Sequence, residues 1–244
     1  MNKEQAQKLL KKVKDDYAFG SEVFSKRAKP WESIFELIKN QVGKNKKVLD
    51  VGCGNGRYFE ALDGKGVEYM GVDSCEGLIK KTRKHENTKT EFLVGDILDL
   101  PFEKDQFDYV LGIAVLHHIP SRELQLKALS EMHRVLKPGG KLIMTNWNLG
   151  REIWSFKHMA LWLYGFMARK RDSLGFRDLL IPWGITGSIA KRYYYAFSLA
   201  ELKRLVNRIG FKADKAYYVD RKSSLARWGS FWKRGNMVVV AKKK

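Results

Sequence analysis

The chain has 244 residues, a formal net charge of +19 at pH 7 and 44% apolar residues, which suits one α/β domain with additions rather than two independent domains. With only two cysteines the chain has no disulfide framework to predict, so we expect a reducing, cytoplasmic location. No residues have the spacing of zinc ligands, so we expect no metal held by this chain. The most apolar stretch, 153–168, has about 16 residues. A membrane span needs roughly 20, so we expect no transmembrane helix and no membrane partner that the chain would span.

The positive charge is concentrated at the two ends of the sequence. Residues 1–47 hold 12 basic and 6 acidic residues, residues 48–150 hold 13 and 15, and residues 151–244 hold 21 and 6. In both flanks the basic residues are interleaved with Trp, Tyr and Phe. Such segments are typical of proteins that bind a nucleic acid, a polyanion with stackable bases. Solvated surface charge and an anionic membrane surface are the alternatives.

The first predicted elements are an amphipathic helix over residues 1–20 and a strand over 48–51 that leads into a glycine-rich turn. Glycines allow a backbone φ above zero and a close approach to a ligand. Asp50 places a carboxylate where the cationic amino-acid tail of a cofactor would fit and where the phosphate of a dinucleotide would be repelled. The glycines of this turn are Gly52, Gly54 and Gly56.

Acidic side chains follow the next two predicted strands. Asp73 ends the second strand and can accept hydrogen bonds from both ribose hydroxyls of a nucleoside; Asp96 follows the third and can accept from the exocyclic amine of adenine. Strands that alternate with helical stretches predict a doubly wound parallel sheet, whose ligands bind beyond the carboxyl ends of the strands. Acids that only cap strands in a domain without a cofactor are the alternative. The remaining predicted cofactor-binding residues are Ser74, Ile97 and Ile113.

The last predicted elements are a fifth strand at 141–145, an irregular aromatic and basic stretch, a helix at 199–209 and a final pair of strands. The glycine turn, the acid spacing and this strand count resemble the class I S-adenosylmethionine (SAM) methyltransferases. The resemblance implies SAM as the cofactor and an α/β fold with a seven-stranded, mostly parallel doubly wound sheet. Within one domain, 1–244, we predict an N-terminal helical substrate flank, a cofactor-binding core, a substrate-facing insertion and a C-terminal helix with a β-hairpin, at 1–46, 47–147, 148–197 and 198–244.

Short motifs make the resemblance specific to one family of methyltransferases. They read F-S-K-R at 24–27, P-W at 30–31, N-G-R-Y at 55–58, D-L-L-I-P-W at 178–183 and K-R-Y-Y-Y at 191–195. Together they resemble the tRNA wobble-uridine carboxymethyl methyltransferases, a family that includes the methyltransferase domain fused to an AlkB-type oxygenase in animals. The resemblance covers about residues 17–240. The family commonly has His in place of Tyr195 and Thr in place of Lys26.

This resemblance implies methyl transfer from SAM to the carboxylate of 5-carboxymethyluridine in the anticodon loop of tRNA. A carboxylic acid is ionised at neutral pH, so the reaction needs no general base. A planar guanidinium binds a carboxylate bidentately, so Arg27 and Arg192 are the candidates to hold it, with Tyr193 as a hydroxyl donor or stacking face. Phosphate contact and surface solvation are the alternatives for the two arginines.

The same resemblance extends to further substrate contacts. Trp183 is the candidate to stack on the uracil, with core packing as the alternative, and Lys26 and Lys191 are the candidates to contact RNA. His117 follows the fourth strand, and we expect it to line the pocket at the catalytic position without acting as a base.

The family also implies a partner, a small zinc-ribbon activator subunit that forms a heterodimer with the methyltransferase. We therefore expect an apolar docking surface and low solubility of the chain alone. Three other functions stay open: a small-molecule (quinone or carboxylic acid) methyltransferase, a methyltransferase for another RNA site or a ribosomal protein, and a non-catalytic RNA-binding protein with a SAM fold.

Overall fold

The computed structural model describes residues 1–27, 29–153, 155, 159–160, 163–164, 167, 174–185, 188–220 and 235–244. Across these residues no helix is long and apolar enough to cross a membrane. The helices are α1 (Lys3–Phe19), α2 (Ser21–Arg27), α3 (Glu32–Gln41), α4 (Glu76–Ile79), α5 (Arg122–Val135), α6 (Gly150–Ile153) and α7 (Leu199–Ile209), with 3-10 turns at Phe59–Leu62, Arg83–His85 and Leu116–His118.

The strands form a seven-stranded sheet and a separate hairpin. The strands are β1 (Lys47–Val51), β2 (Glu68–Asp73), β3 (Thr90–Val94), β4 (Phe107–Ile113), β5 (Leu136–Trp147), β6 (Asp178–Ile185), β7 (Ser188–Tyr195), β8 (Phe211–Val219) and β9 (Asn236–Lys243). In the large sheet the order is β3-β2-β1-β4-β5-β9-β8; β1 to β5 are parallel, and β9 pairs antiparallel with both β5 and β8. This arrangement confirms the predicted class I methyltransferase fold.

The two faces of the sheet are covered by different helices. Successive side chains of a strand point to opposite faces, so Val48 joins the core beneath α3 and Leu49 joins the core beneath α5 and α7. Helix α1 adds Ala6 and Leu10 to the second of these cores, as its predicted amphipathic pattern requires. Both faces are therefore buried, which explains the apolar runs of the central strands.

The segment expected to be irregular before the final helix contains an antiparallel hairpin, β6 paired with β7, so that part of the sequence interpretation was wrong. Pro182 and Gly184 interrupt the strand pattern of β6 in the sequence. A proline is tolerated there because both strands of a two-stranded sheet are edge strands. The predicted bounds of the helix that follows were correct: α7 begins at a Ser198–Glu201 capping box and ends at Gly210 in the left-handed conformation.

Candidate active site

A cavity of about 190 Å³ lies at the carboxyl ends of the parallel strands. Strands β1, β2 and β4 and the loop after β3 supply its floor, and α1 covers it with Leu10, Val13, Lys14 and Tyr17. The capping box at Asn2 fixes the start of α1, and its buried face packs on the sheet. The cavity thus lies where parallel α/β sheets bind their ligands, with a helix from the basic N-terminal flank as its roof.

The glycine turn after β1 is built by backbone geometry. Gly52, Gly54 and Gly56 have φ values of 73°, 58° and 72°. A Cβ on Gly52 would lie 2.3 Å from Val115 Cγ2, and one on Gly56 would lie 3.2 Å from Phe92 Cε1. Gly52 and Gly54 line the cavity, whereas Gly56 is not among its lining residues and instead allows close packing against Phe92.

Asp50 is a buried carboxylate in the wall of this cavity, with 2% of its surface exposed. Its Oδ2 accepts a hydrogen bond from the Tyr69 hydroxyl at 2.7 Å, and its Oδ1 has no partner among the described residues. Burial raises the pKa of Asp50 to about 6, so the group is mostly ionised at neutral pH. A buried carboxylate with an open oxygen is suited to a cationic ligand group.

The acids after β2 and β3 also line the cavity. Asp73 accepts hydrogen bonds from the backbone N–H groups of Cys75 at 2.8 Å and Gly54 at 2.9 Å, and burial raises its pKa. Asp96 accepts from the backbone N–H of Leu98 and pairs with Lys14 Nζ at 2.8 Å. The other predicted cofactor residues, Ser74, Ile97 and Ile113, line the same cavity.

These features fit SAM. Asp50 has a free acceptor for the ammonium of its amino-acid tail, and acids lie at the ends of successive strands where the ribose and adenine would be held. The turn also approaches the cavity with backbone alone at Gly52 and Gly54. The roles of the individual residues stay predictions.

The histidine pair differs from the prediction: His118 lines the cavity, and His117 is not among the lining residues. The 3-10 turn at Leu116–His118 buries His117 completely, beside the Oδ1 of Asn146 at 3.3 Å, and burial lowers its pKa to about 3. His118 Nδ1 lies 3.2 Å from the carbonyl oxygen of Tyr193, which can only accept, so Nδ1 carries the proton. In the neutral ring Nε2 is then the acceptor for the Tyr17 hydroxyl at 2.9 Å.

The second arginine candidate is buried behind the cavity rather than in its wall. Arg192 is 2% exposed and is not a lining residue; its guanidinium carbon lies 3.7 Å from the ring centroid of Tyr17, which does line the cavity. Tyr193 is also absent from the lining, because its hydroxyl donates to Asp178 Oδ1 at 2.6 Å. Neighbouring residues of β7 thus point to opposite sides, and the structure does not bring Tyr193 to the substrate position.

The remaining predicted substrate residues lie on α2 and the hairpin. Lys26 is exposed on α2, and Lys191 is exposed on β7 opposite Pro182. Arg27 ends α2 and Trp183 lies on β6, but both side chains lie outside the described residues, so their roles stay predictions.

An aromatic stack at the cavity was not predicted. Trp147, at the end of β5, lines the cavity and is 38% exposed. Its ring stacks on Tyr194, with centroids 5.2 Å apart and an interplanar angle of 21°, and Tyr194 stacks on His117 at 5.6 Å and 14°. The signal available in the sequence was the position of Trp147 just beyond the fifth predicted strand, on the edge where ligands bind.

Comparison with known proteins agrees with this architecture. A family model described as "Methyltransferase domain" matches residues 49–144. A protein of Encephalitozoon cuniculi named as a methyltransferase is 32% identical over 76% of this chain and 80% of its own length. The tRNA (carboxymethyluridine(34)-5-O)-methyltransferase of Schizosaccharomyces pombe is 27% identical over 75% of this chain and 81% of its own. The Xenopus tropicalis protein of that name is 28% identical over 86% of this chain but only 39% of its own length.

Many solved structures share the fold. One is the complex between the Haloferax volcanii Trm112 methyltransferase activator and a methyltransferase, with a TM-score of 0.63, 18% identity and coverage of 94% of this chain and 96% of that chain. Another is the Burkholderia thailandensis 1,6-didemethyltoxoflavin-N1-methyltransferase with bound 1,6-didemethyltoxoflavin and S-adenosylhomocysteine, with a TM-score of 0.66, 16% identity and coverage of 98% and 90%. At these identities the likeness shows the fold alone.

The sheet order, the glycine turn and the cavity define a class I methyltransferase that uses SAM. The chain belongs to the methyltransferase family that includes the tRNA (carboxymethyluridine(34)-5-O)-methyltransferases.

Proposed function

We propose that this protein methylates the carboxylate of 5-carboxymethyluridine at the wobble position of tRNA, using SAM as the methyl donor. The observation that carries the proposal is the state of the histidine in the cavity. The Nε2 of His118 already accepts the Tyr17 hydroxyl, and burial, with the nearby His117 and Arg192, holds its pKa well below the usual range. His118 is therefore poorly suited to take a proton from an acceptor.

An acceptor that is already ionised needs no such base. A carboxylic acid has a pKa near 4 and is a carboxylate at neutral pH, whereas an alcohol or phenol must lose a proton during transfer. Names of relatives of this chain in Schizosaccharomyces pombe and Xenopus tropicalis specify the same carboxylate acceptor. Both arguments support a carboxylate substrate over a hydroxyl substrate.

The chain's own residues then have separate tasks. SAM supplies an electrophilic methyl group when bound, and the residues that would hold it are Asp50, Asp73 and Asp96. Trp147 offers a half-exposed ring beside the cavity on which the uracil would stack, with Tyr194 fixing that ring from behind. Orientation of this kind contributes roughly 7–11 kcal/mol to lowering a reaction barrier.

Arg192 acts in this proposal as a positioning residue. Its guanidinium holds the Tyr17 ring against the cavity wall and places a positive charge close to the cavity. The exposed Lys26 and Lys191 lie on the two basic flanks and would contact tRNA phosphates, which position an RNA without reading its sequence. Arg27 remains the candidate to touch the carboxylate directly.

We further propose that the protein works in the cytoplasm as a heterodimer with a small zinc-ribbon activator. The fold shared with a methyltransferase solved together with the Trm112 activator supports this partner. Co-expression with such a subunit is expected to increase the soluble yield and the activity; a soluble, monomeric and fully active isolated chain would refute the requirement.

The experiment that tests the function is mass spectrometry of tRNA nucleosides after incubation with SAM and the chain, with and without the activator. Expected is the methyl ester of 5-carboxymethyluridine from tRNA that carries the acid, and no product from tRNA with unmodified uridine. Binding of SAM without ester formation, even with the activator, would reject the substrate. Methylation of small carboxylic acids without RNA would favour a small-molecule methyltransferase.

A further inference from the structure

Arg57 is a cationic side chain of the cavity that the predicted site did not include. It directly follows Gly56, whose φ of 72° turns the chain at the end of the glycine turn, and it lines the cavity together with Asp50. The side chain is half-buried. A half-buried guanidinium in the wall of a ligand cavity is costly to keep without an anion nearby.

Aromatic rings hold the Arg57 guanidinium without neutralising it. Its central carbon lies 5.5 Å from the ring centroid of Phe24 and 5.2 Å from that of Tyr58. Among the described residues no carboxylate lies within ion-pair distance of Arg57. Phe24 belongs to α2, so this cation is oriented between the N-terminal flank and the glycine turn with its donors available.

Asp50 supplies the opposite charge in the same cavity without pairing with Arg57. Its Oδ1 is buried and has no partner among the described residues, while its Oδ2 is held by Tyr69. The positive charge of Arg57 partly offsets the effect of burial on the pKa of Asp50, so the two charges sense each other across the site. Among the described residues, one cavity thus holds a carboxylate oxygen without a donor and a guanidinium without a counter-ion. This pair of charges matches an α-amino acid, which is a zwitterion.

We propose that Arg57 binds the α-carboxylate of the cofactor's amino-acid tail, opposite the α-ammonium held by Asp50. Arg57 and Asp50 then form a two-point site that recognises the amino-acid end of the cofactor and distinguishes it from nucleosides that lack this end. The inference rests on the SAM cofactor and not on the tRNA substrate. Its test therefore needs no RNA, and its failure would leave the tRNA assignment untouched.

The experiment is isothermal titration calorimetry of the full chain with two ligands. S-adenosylhomocysteine carries both charged groups, and its decarboxylated analogue, S-adenosyl-3-thiopropylamine, keeps the amine and lacks only the carboxylate. The wild type is expected to bind S-adenosylhomocysteine about 10- to 100-fold more tightly, the effect of one charge-assisted hydrogen-bonded pair. Arg57→Met should remove most of this preference by weakening S-adenosylhomocysteine and leaving the analogue within about twofold.

Binding of the decarboxylated analogue reports whether each variant still has an intact site. Arg57→Lys, which keeps the charge but loses the planar fork, should retain an intermediate preference and covers the case in which Arg57→Met does not fold. The matched control is Arg83→Met, because Arg83 is exposed on a 3-10 turn and is absent from the cavity lining; it should keep the wild-type preference. Equal weakening of both ligands by the Arg57 variants, or an unchanged preference, would overturn the proposal.

Discussion

The two halves of the cavity wall are built in different ways. On the cofactor side, the glycine turn and the strand ends present buried polar atoms that have no hydrogen-bond partner among the described residues, such as Asp50 Oδ1. On the proposed acceptor side, the Tyr17 hydroxyl and His118 are hydrogen-bonded to each other, and Arg192 lies against Tyr17. The cofactor side is therefore open to its ligand, whereas we expect the acceptor side to exchange internal contacts for substrate contacts.

The largest effect on the cofactor side is expected when a side chain is added at Gly52, because it should lower the stability of the fold. Gly52→Ala places a Cβ 2.3 Å from Val115 in a backbone with φ of 73°, and should lower the free energy of unfolding by about 3–5 kcal/mol. Gly64→Ala is the matched control: its φ is 71° but no atom lies within 4 Å, so only backbone strain of about 1 kcal/mol remains. Urea unfolding measures both; equal losses would mean that the contact with Val115 is unimportant.

The next largest effect is expected from the charge of Asp50. Because its pKa is about 6, S-adenosylhomocysteine should bind roughly 10-fold more weakly at pH 5 than at pH 7, when the carboxylate that attracts the ammonium is protonated. Asp50→Asn should bind weakly at both pH values and lose this dependence. Calorimetry over pH 5–8 provides the measurement, and a variant that keeps the wild-type pH profile would remove Asp50 from the cofactor site.

The same pKa has the opposite consequence for the unliganded fold. A carboxyl whose pKa is raised by folding binds its proton more tightly in the folded state, so its contribution to stability increases as the pH falls from above 6 towards 4. Comparison of unfolding of the wild type and Asp50→Asn at pH 7 and pH 5 isolates this contribution. The expectation is contradicted if the free energy of unfolding of the wild type, relative to that of Asp50→Asn, falls between pH 7 and pH 5.

A smaller effect is expected on the acceptor side, where Tyr17→Phe removes one hydroxyl. The ring stays on Arg192, but His118 Nε2 becomes a buried acceptor without its donor, which costs about 1–3 kcal/mol. Amide hydrogen exchange of α1 should therefore become faster. Tyr109→Phe is the control, since the described residues give the Tyr109 hydroxyl no hydrogen bond. Unchanged exchange in Tyr17→Phe would show that this hydrogen bond does not hold α1.

The smallest effect is expected at the ion pair of Lys14 and Asp96. Both side chains are more than a third exposed, so Lys14→Gln should change the free energy of unfolding by less than about 1 kcal/mol. Lys8→Gln, at the more exposed pair with Glu4, serves as the control. A change in S-adenosylhomocysteine affinity above about 3-fold for Lys14→Gln alone would make Lys14 part of the cofactor site.

This difference between the two sides also explains what the sequence could predict. The glycine turn and the acids at the strand ends are local patterns that combine chain direction with residue type, so the sequence predicts that Asp50, Asp73 and Asp96 lie at one ligand site, and all three line the cavity. The acceptor side depends on contacts between distant segments. Nothing near Arg192 in the sequence indicates that its guanidinium lies on Tyr17.

The direction of individual side chains is the other property that the sequence does not predict. In the 3-10 turn after β4, neighbouring histidines face different surroundings, and no sequence pattern separates His117 from His118. In the same way, the alternation of side chains along β7 directs Tyr193 away from the cavity and towards Asp178. The direction of the Tyr193 side chain is predictable only when 188–195 is assigned as a strand. The hairpin was missed because Pro182 and Gly184 weaken the pattern of β6.

The position of β9 has a consequence for biosynthesis. This strand lies inside the large sheet, between β5 and β8, although it follows both in the chain. During translation β8 is therefore synthesised before its neighbour in the sheet, and the edge of β5 stays open until β9 arrives. Unpaired strand edges are where nascent chains associate wrongly. Chaperones that cover the open edge of β5 should thus affect the yield of folded protein.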